Sequence, residues 1–340
     1  MLRLLEVTAP DQDVDSIQAI LEKAPVIHVW ISEPNNPIRQ LRILLDAQHT
    51  EELSDQLMSQ FGSQDEFRLI LFPVEASLPA AEQASDTKTD ESVESEKEND
   101  CPQRISREEL YEDLIDASVV TRLYIVMVAL STIVASIGLL RGDVAIIIGA
   151  MVIAPLLGPN IALPLAFTLG DLELAKKSFK TIGIGVVAAG VLSTAIGWGV
   201  TVDPTASELI ARTHADTGDI ILAFAAGAAG SLAFTSGAPA VVVGVMVAVA
   251  LLPPLVAAGL LAGSGHAGLA TGALMLALTN VTCINLAAVA TFFLQKVRPR
   301  TWWEAARAKK ATRLAVSIWI IMLLILLTLM LLGYVEAGQE

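Results

Sequence analysis

"LTNVTCINLAA", residues 278–288, places Thr279, Asn280, Thr282, Cys283 and Asn285 inside an otherwise apolar stretch. At about 100° per residue on a helix, Thr279, Thr282 and Asn285 share one face, with Asn280 and Cys283 beside it. An asparagine amide offers a carbonyl oxygen and two N–H donors, so a passage lined this way replaces part of the hydration of a solute or ion. The same side chains also serve as hydrogen bonds between membrane helices, and both uses stay open at this point. A second candidate place is "GAMVIAPLLGPNIALPLA", residues 149–166, where Pro155, Gly158, Pro159 and Asn160 interrupt an apolar run. Each proline removes a backbone donor, and at membrane depth irregular backbone survives only where protein buries it or where it lines a cavity. Pro253 and Pro254 in "ALLPPL" interrupt a second run. These residues form a candidate substrate path centred on Asn160, which follows Pro159 directly, where freed carbonyls and a side-chain amide can converge. Ser131, Thr132, Ser136, Ser231, Thr235 and Ser236 either extend this polar lining or bond to their own helix backbone.

The missing chemistry narrows the function further. Arg141, Asp143, Asp171 and Asp219 all fall near the ends of apolar runs, so a proton relay of buried carboxylates is not expected. The chain has no H-E-x-x-H, no G-x-S-x-G and no Walker loop, and its four histidines, among them His28 and His266, are scattered. The expectation is a protein that is not an enzyme, with no cofactor and no metal site. Cys101 and Cys283 lie in very different surroundings and are read as free thiols.

The elements that must position these groups are membrane spans. Hydrophobic residues make up 54% of the 340 and charged residues 17%, and after about residue 119 several runs approach the roughly 20 residues that cross a bilayer. Candidate crossings are 120–140, 143–168, 178–200, 218–236, 238–263, 267–294 and 313–334, an α-helical membrane protein of about seven spans. Lys176, Lys177 and Lys180 mark one cytoplasmic loop and "KVRPRTWWEAARAKKATR" (296–313) another, while the alternate loops hold only Arg141 and Arg212. This gives the N-terminus inside and the C-terminus outside, with Trp302 and Trp303 as interface anchors.

Shifting the chain by 95 residues lays 142–166 over 237–261 and pairs Gly142 with Gly237, Gly149 with Gly244, Met151 with Met246 and Pro159 with Pro254. Ten of those twenty-five positions are identical, more than Ala/Val/Leu-rich composition alone produces. Each unit holds three crossings, an odd number, so the second enters the membrane upside down: an inverted 3+3 repeat plus one further span. "GDVAIIIGAMVIAPLLGPN" (142–160), together with the second glycine- and proline-rich run, resembles the prokaryotic membrane family of domain of unknown function 389 over about residues 110–295. That resemblance implies an architecture and a prokaryotic cytoplasmic (inner) membrane, and no activity.

Ahead of the spans, alternating period-2 and period-3.6 patterns over residues 1–76 give the order βαββαβ, that of a ferredoxin-like domain. In many small-ligand sensors of that fold the turn after the first strand, here holding Thr8, Ala9, Asp11 and Asp13, lies beside a ligand; an assembly domain with a solvated turn is the alternative. Residues 77–104, acidic and poor in apolar groups, read as a disordered tether. "ISREELYEDLIDASV" (105–119) reads as an amphipathic elbow opened by a Ser106/Glu109 capping box. The remaining boundaries are 120–200 and 218–295 for the two membrane units, 201–217 and 296–312 for loops, and 313–340 for the last span and tail.

The expectation for function is a passive or secondary transporter, or a channel-like protein, for a small polar solute or ion, with a regulatory or assembly head. The alternative is a membrane-anchored ligand sensor or oligomeric scaffold. Expected partners are the lipid bilayer, a small solute or ion, a small-molecule ligand of the head and further copies in a homo-oligomer; nucleic acid is not expected.

Overall fold

The structure, a computed structural model, describes residues 2–33, 38–74, 105–214, 216–237, 240–299 and 302–337, and of 240–246, 249, 302–307 and 330–337 it describes the backbone alone. The acidic tether with Cys101 lies outside the described residues, as do the side chains of Met246, Trp302 and Trp303. The chain divides into two compact units, Met1–Leu110 and Tyr111–Glu340, so the boundary falls within a helix.

In the first unit, β1 (Leu2–Pro10), a 3₁₀ turn, α1 (Val14–Leu21), β2 (Val26–Ile31), β3 (Ile38–Asp46), α2 (Ala47–Phe61) and β4 (Arg68–Val74) follow the βαββαβ order. The strands form one antiparallel sheet in the order β2-β3-β1-β4. Alternation puts Leu5, Val7 and Ala9 of β1 on the covered face with Leu41, Ile43 and Leu45 of β3. Val14, Ile17 and Leu21 of α1 and Leu53, Leu57 and Phe61 of α2 recur at helical spacing and close that core.

Arg3 shares the inward register and is only 6% exposed. Its guanidinium grips Glu109 at 3.0 and 2.9 Å, at the start of α3 (Arg107–Ala117). The capping box expected there is therefore half made. Ser106 Oγ accepts from the Glu109 backbone N–H at 3.2 Å, while both Glu109 oxygens go to Arg3, a charge-assisted partner stronger than a backbone amide. Arg107 next to it pairs with Asp55 at 2.9 Å and with Glu108.

The second unit is helical. α4 (Arg122–Arg141), α5 (Val144–Ile153), α6 (Leu157–Leu169) and α7 (Leu172–Gly199) are followed by a short α8 (Ser207–Ile210), then α9 (Thr217–Ser236), α10 (Ala240–Gly263), α11 (Ala267–Leu294) and α12 (Trp302–Ala337). The 95-residue shift returns here in the backbone. α4 and α9 begin and end at corresponding residues, and so do α7 and α11. Gly142 and Gly237 cap the first helix of each set at φ 65° and 66°, and Gly170 and Gly265 stand at φ 76° and 88° after the second. Left-handed backbone favours a residue without Cβ, which accounts for glycine at both members of each pair. α10 packs on α7, and α6 packs on α11, so each set holds the other.

Five helices are long and apolar enough to cross a membrane, or six if the bent α5–α6 pair is one crossing; α10 adds a shorter apolar helix, Ala250–Gly263, in its described part. Where the second unit begins, Tyr111 donates its hydroxyl to Asp171, whose other oxygen caps α7 at the backbone N–H groups of Glu173 and Leu174.

Two measurements test these contacts. Glu109→Gln leaves the buried Arg3 charge half-paired and should cost up to about 3 kcal/mol, less than a fully buried pair because Glu109 keeps some water contact; thermal melting followed by the circular dichroism of the head reads it. Burial, then the bond to Asp171 and its charge, push the Tyr111 phenol from its ordinary 10.0 up to about 12. The folded state thus favours the neutral phenol, and the stabilisation is whole below pH 10 and disappears as pH rises toward 12. The melting difference between the native protein and Tyr111→Phe should hold constant from pH 7 to 9 and shrink above 10.

Candidate functional site

α5 and α6 meet at a bend of 54°. The break falls at Ala154, whose backbone is extended at φ −68°, ψ 121°. It precedes Pro155, and the ring of a proline crowds helical backbone at the residue before it. Helix resumes at Leu157, which puts Pro159 in the first turn, where backbone N–H groups have no intrahelical partner and a missing donor costs little.

The second set of helices behaves differently. α10 runs through Pro253 and Pro254 without interruption, which corrects the expectation of two breaks in register. The position corresponding to Pro155 is Ala250, so the residue that breaks the first helix has no counterpart in the second. Pro254 nevertheless removes the N–H that would bond the Ala250 carbonyl four residues back. That carbonyl instead accepts from Asn280 Nδ2 of α11 at 2.7 Å. A side chain of the neighbouring helix thus supplies the bond that the proline takes away, as apolar surroundings require.

Asn160 and Asn285 use their amides in a related way. Asn160 Nδ2 donates to Leu156 O and Asn285 Nδ2 to Val281 O, both at 2.8 Å and one turn back on the same helix. In all three asparagines a backbone carbonyl claims the NH₂ end and so fixes which way the amide points. The oxygen ends, Oδ1 of Asn160, Asn280 and Asn285, are left buried without a partner. The three residues are 2%, 4% and 0% exposed, and the helices that carry them, α6 and α11, pack against each other. A buried acceptor left unpaired costs about 1–3 kcal/mol, so three in one helical unit is an arrangement that asks for a donor.

The remaining candidate residues are spent locally. Thr279 donates to Met275 O at 2.8 Å and Thr282 to Leu278 O at 2.7 Å. Ser131, Thr132, Ser136, Ser231, Thr235 and Ser236 likewise donate to carbonyls three or four residues back, the second of the two uses the sequence allows them. Pro159, Pro253 and Pro254 are buried, Pro155 is half-buried, and Cys283 is a buried free thiol. At Gly158 a Cβ would collide with that of Ala117, so this glycine admits the end of α3 rather than opening a passage. An open groove of about 750 Å³ lies instead between α7 and α10, and it includes Leu255, the counterpart of Asn160.

In the head, the turn after β1 holds Asp11 in an ion pair with Arg39 at 3.1 Å and leaves one oxygen of Asp13 without a partner. Ala9 is fully buried in the core, and Thr8 is half-buried. Ala9 therefore packs its methyl into the core beneath the turn.

Sequence reasoning missed the Arg3–Glu109 and Tyr111–Asp171 contacts. Arg3 had a legible signal, a charge standing in the inward register of β1; the Tyr111–Asp171 contact joins residues 60 apart and had none.

Residues 151–286 match the Domain of unknown function (DUF389). The uncharacterized protein MJ0678 of Methanocaldococcus jannaschii is 35% identical over 331 residues, covering 97% of this chain and 99% of that one. The chain belongs to the DUF389 family. No solved structure matches it. The DUF389 stretch runs from the last turn of α5 to the residue after Asn285, so it encloses the bend, both proline sites and all three asparagines.

The pairing of Asn280 with a proline-orphaned carbonyl predicts a non-additive double-mutant cycle. Asn280→Leu alone should cost about 1–2 kcal/mol, because Ala250 O is left unbonded in apolar surroundings. With Pro254→Ala present, a backbone N–H returns to that carbonyl and the same substitution should cost less than half as much. Thermal unfolding of the four proteins in detergent measures the coupling; equal costs in both backgrounds would show that the amide acts elsewhere.

Proposed function

We propose that this membrane protein is a passive or secondary transporter, or a channel-like protein, for a small polar solute or ion, its path running between two inverted sets of helices. The observation that carries the reading is the set of three buried, unpaired amide oxygens on α6 and α11. Acceptors of this kind are satisfied by a cation or by the N–H or O–H groups of a solute, and in apolar surroundings such a species passes only where its hydration is replaced.

The exact coincidence of helix ends at a 95-residue offset supports the repeat. Three crossings per set, with α10 and α12 as the fifth and last spans of seven, support its inversion. The asymmetry between Asn160 and Leu255 then assigns the polar path to one of two related interfaces. The lysines near the start of α7 support a cytoplasmic N-terminus and an outside C-terminus by the positive-inside rule. The strand order β2-β3-β1-β4 supports a ferredoxin-like head that regulates or assembles the membrane part.

A scaffold without transport is favoured by a different observation, that every hydroxyl in the proposed lining is already committed to its own helix.

Flux separates the two readings. Proteoliposomes are assayed with Na⁺, K⁺, urea and glycerol, and the same preparations are melted. For a path residue, Asn160→Leu and Asn285→Leu should each lower the transported species' flux at least tenfold with little change in melting temperature. Unchanged flux with reduced stability would make these asparagines packing groups.

A further inference from the structure

The helices that carry the three asparagine oxygens meet against α9. Gly227 and Gly230 of that helix stand about one turn apart. A Cβ at Gly227 would meet the Ile284 carbonyl of α11 at 2.6 Å, and one at Gly230 would meet Val247 of α10 at 3.1 Å and Ile161 of α6 at 3.3 Å. Three helices thus converge on one turn of α9. Asn160 precedes Ile161 and Asn285 follows Ile284, so these two asparagines stand at one level of the helical unit. Asn280 lies five residues before Asn285, about 7.5 Å along the axis, and is tied to α10 by its bond to Ala250 O.

What these positions offer is all of one kind. The NH₂ ends of the asparagines are spent on carbonyls, and Thr279, Thr282 and Thr291 of α11 donate one turn back, so only their lone pairs remain. Pro164, inside α6, has no N–H for the Asn160 carbonyl four residues back, so the usual helical donor is missing at the same residue whose side-chain oxygen is unpaired. Among the described residues of α4–α12 no Asp, Glu, Lys or Arg is buried. The level of Asn160 and Asn285 is therefore neutral and furnished with oxygen acceptors.

That chemistry selects by charge. An anion needs N–H donors or positive charge, and these groups supply neither. A neutral solute such as urea would bury a carbonyl of its own without a donor. A divalent cation carries two charges that carboxylates ordinarily balance. A monovalent cation brings no acceptor and a single charge, and amide and carbonyl oxygens can replace its hydration shell.

We infer that Asn160 and Asn285 form a site for a monovalent cation, an alkali-metal ion or ammonium, held by oxygen atoms alone. The inference rests on the reading of these amide oxygens as groups that meet a solute or ion, and adds the charge and class of that species.

Thermal unfolding of the full chain in detergent tests it, with choline chloride replaced stepwise by NaCl, KCl or NH₄Cl at constant ionic strength so that general salt effects cancel. At least one of the three cations should raise the melting temperature to a plateau; a response to NH₄⁺ without one to K⁺ identifies ammonium, and a response to Na⁺ or K⁺ an alkali-metal ion. Asn160→Leu and Asn285→Leu should each weaken the apparent affinity about tenfold, the loss of one contact to a charge. Asn160→Asp keeps the shape and adds a negative charge, so it should tighten the cation and make Ca²⁺ stabilising where Ca²⁺ leaves the native protein unchanged. An Asn160→Asp chain destabilised equally in choline and in every cation would overturn the site, as would a cation response that both Leu variants leave unchanged. Flux on the same preparations separates this inference from the transport reading. Urea or glycerol flux that falls in Asn160→Leu, with no cation moving the melting temperature, keeps the path and overturns the cation. A cation response lost in both Leu variants, with no flux of any species, keeps the cation site and overturns transport. Neither response nor flux overturns both.

Discussion

A proline in the middle of a membrane helix removes a donor that lipid cannot replace, and the arrangement of the helical unit follows from how each such loss is met. At Pro155 the helix gives way: Ala154 turns extended, the chain bends by 54°, and a new helix begins two residues later. At Pro159 the loss falls in a first turn and needs no partner. At Pro254 the helix continues, because Asn280 of α11 reaches across to the Ala250 carbonyl. Three prolines in related runs therefore have three outcomes, decided by whether the preceding residue can stay helical and whether a neighbouring side chain can donate.

The same constraint turns the asparagines into the distinctive groups of the unit. Once a carbonyl has claimed the NH₂ end of Asn160, Asn280 and Asn285, the amide has one orientation and its oxygen is committed to the opposite side. Hydroxyls behave otherwise, since a serine or threonine on a helix satisfies its donor on the previous turn and keeps only the lone pairs of its oxygen to offer. Of a polar lining that looks extensive in the sequence, three buried amide oxygens are left without any hydrogen bond.

In the head the controlling interaction is an ion pair. Arg3 stands among leucines on the covered face of β1, and a guanidinium there is tolerable only with a carboxylate close by. Glu109 supplies it, and in doing so gives up its part in the cap of α3. Residues 105–110 accordingly group with the strands that precede them.

The alternation of β1, the helical spacing of α1 and α2, the apolar runs and the 95-residue shift were all legible in the sequence, because period and composition are local properties of a chain. The match of Gly142 with Gly237 belongs with these, since left-handed backbone favours glycine. Whether Pro254 breaks its helix was not legible, because the answer rests on Asn280, 26 residues away, and on the facing of α10 and α11. That α11 is mostly buried and α7 mostly not was hidden for the same reason: both runs are apolar, and what covers each is set by contacts between distant segments, α9 and α12 on α11 among them. The sequence by itself determined which segments are helix and strand; the tertiary structure decided which amide oxygens are buried without a donor, because their burial follows from the packing of α6 on α11, segments distant in the chain.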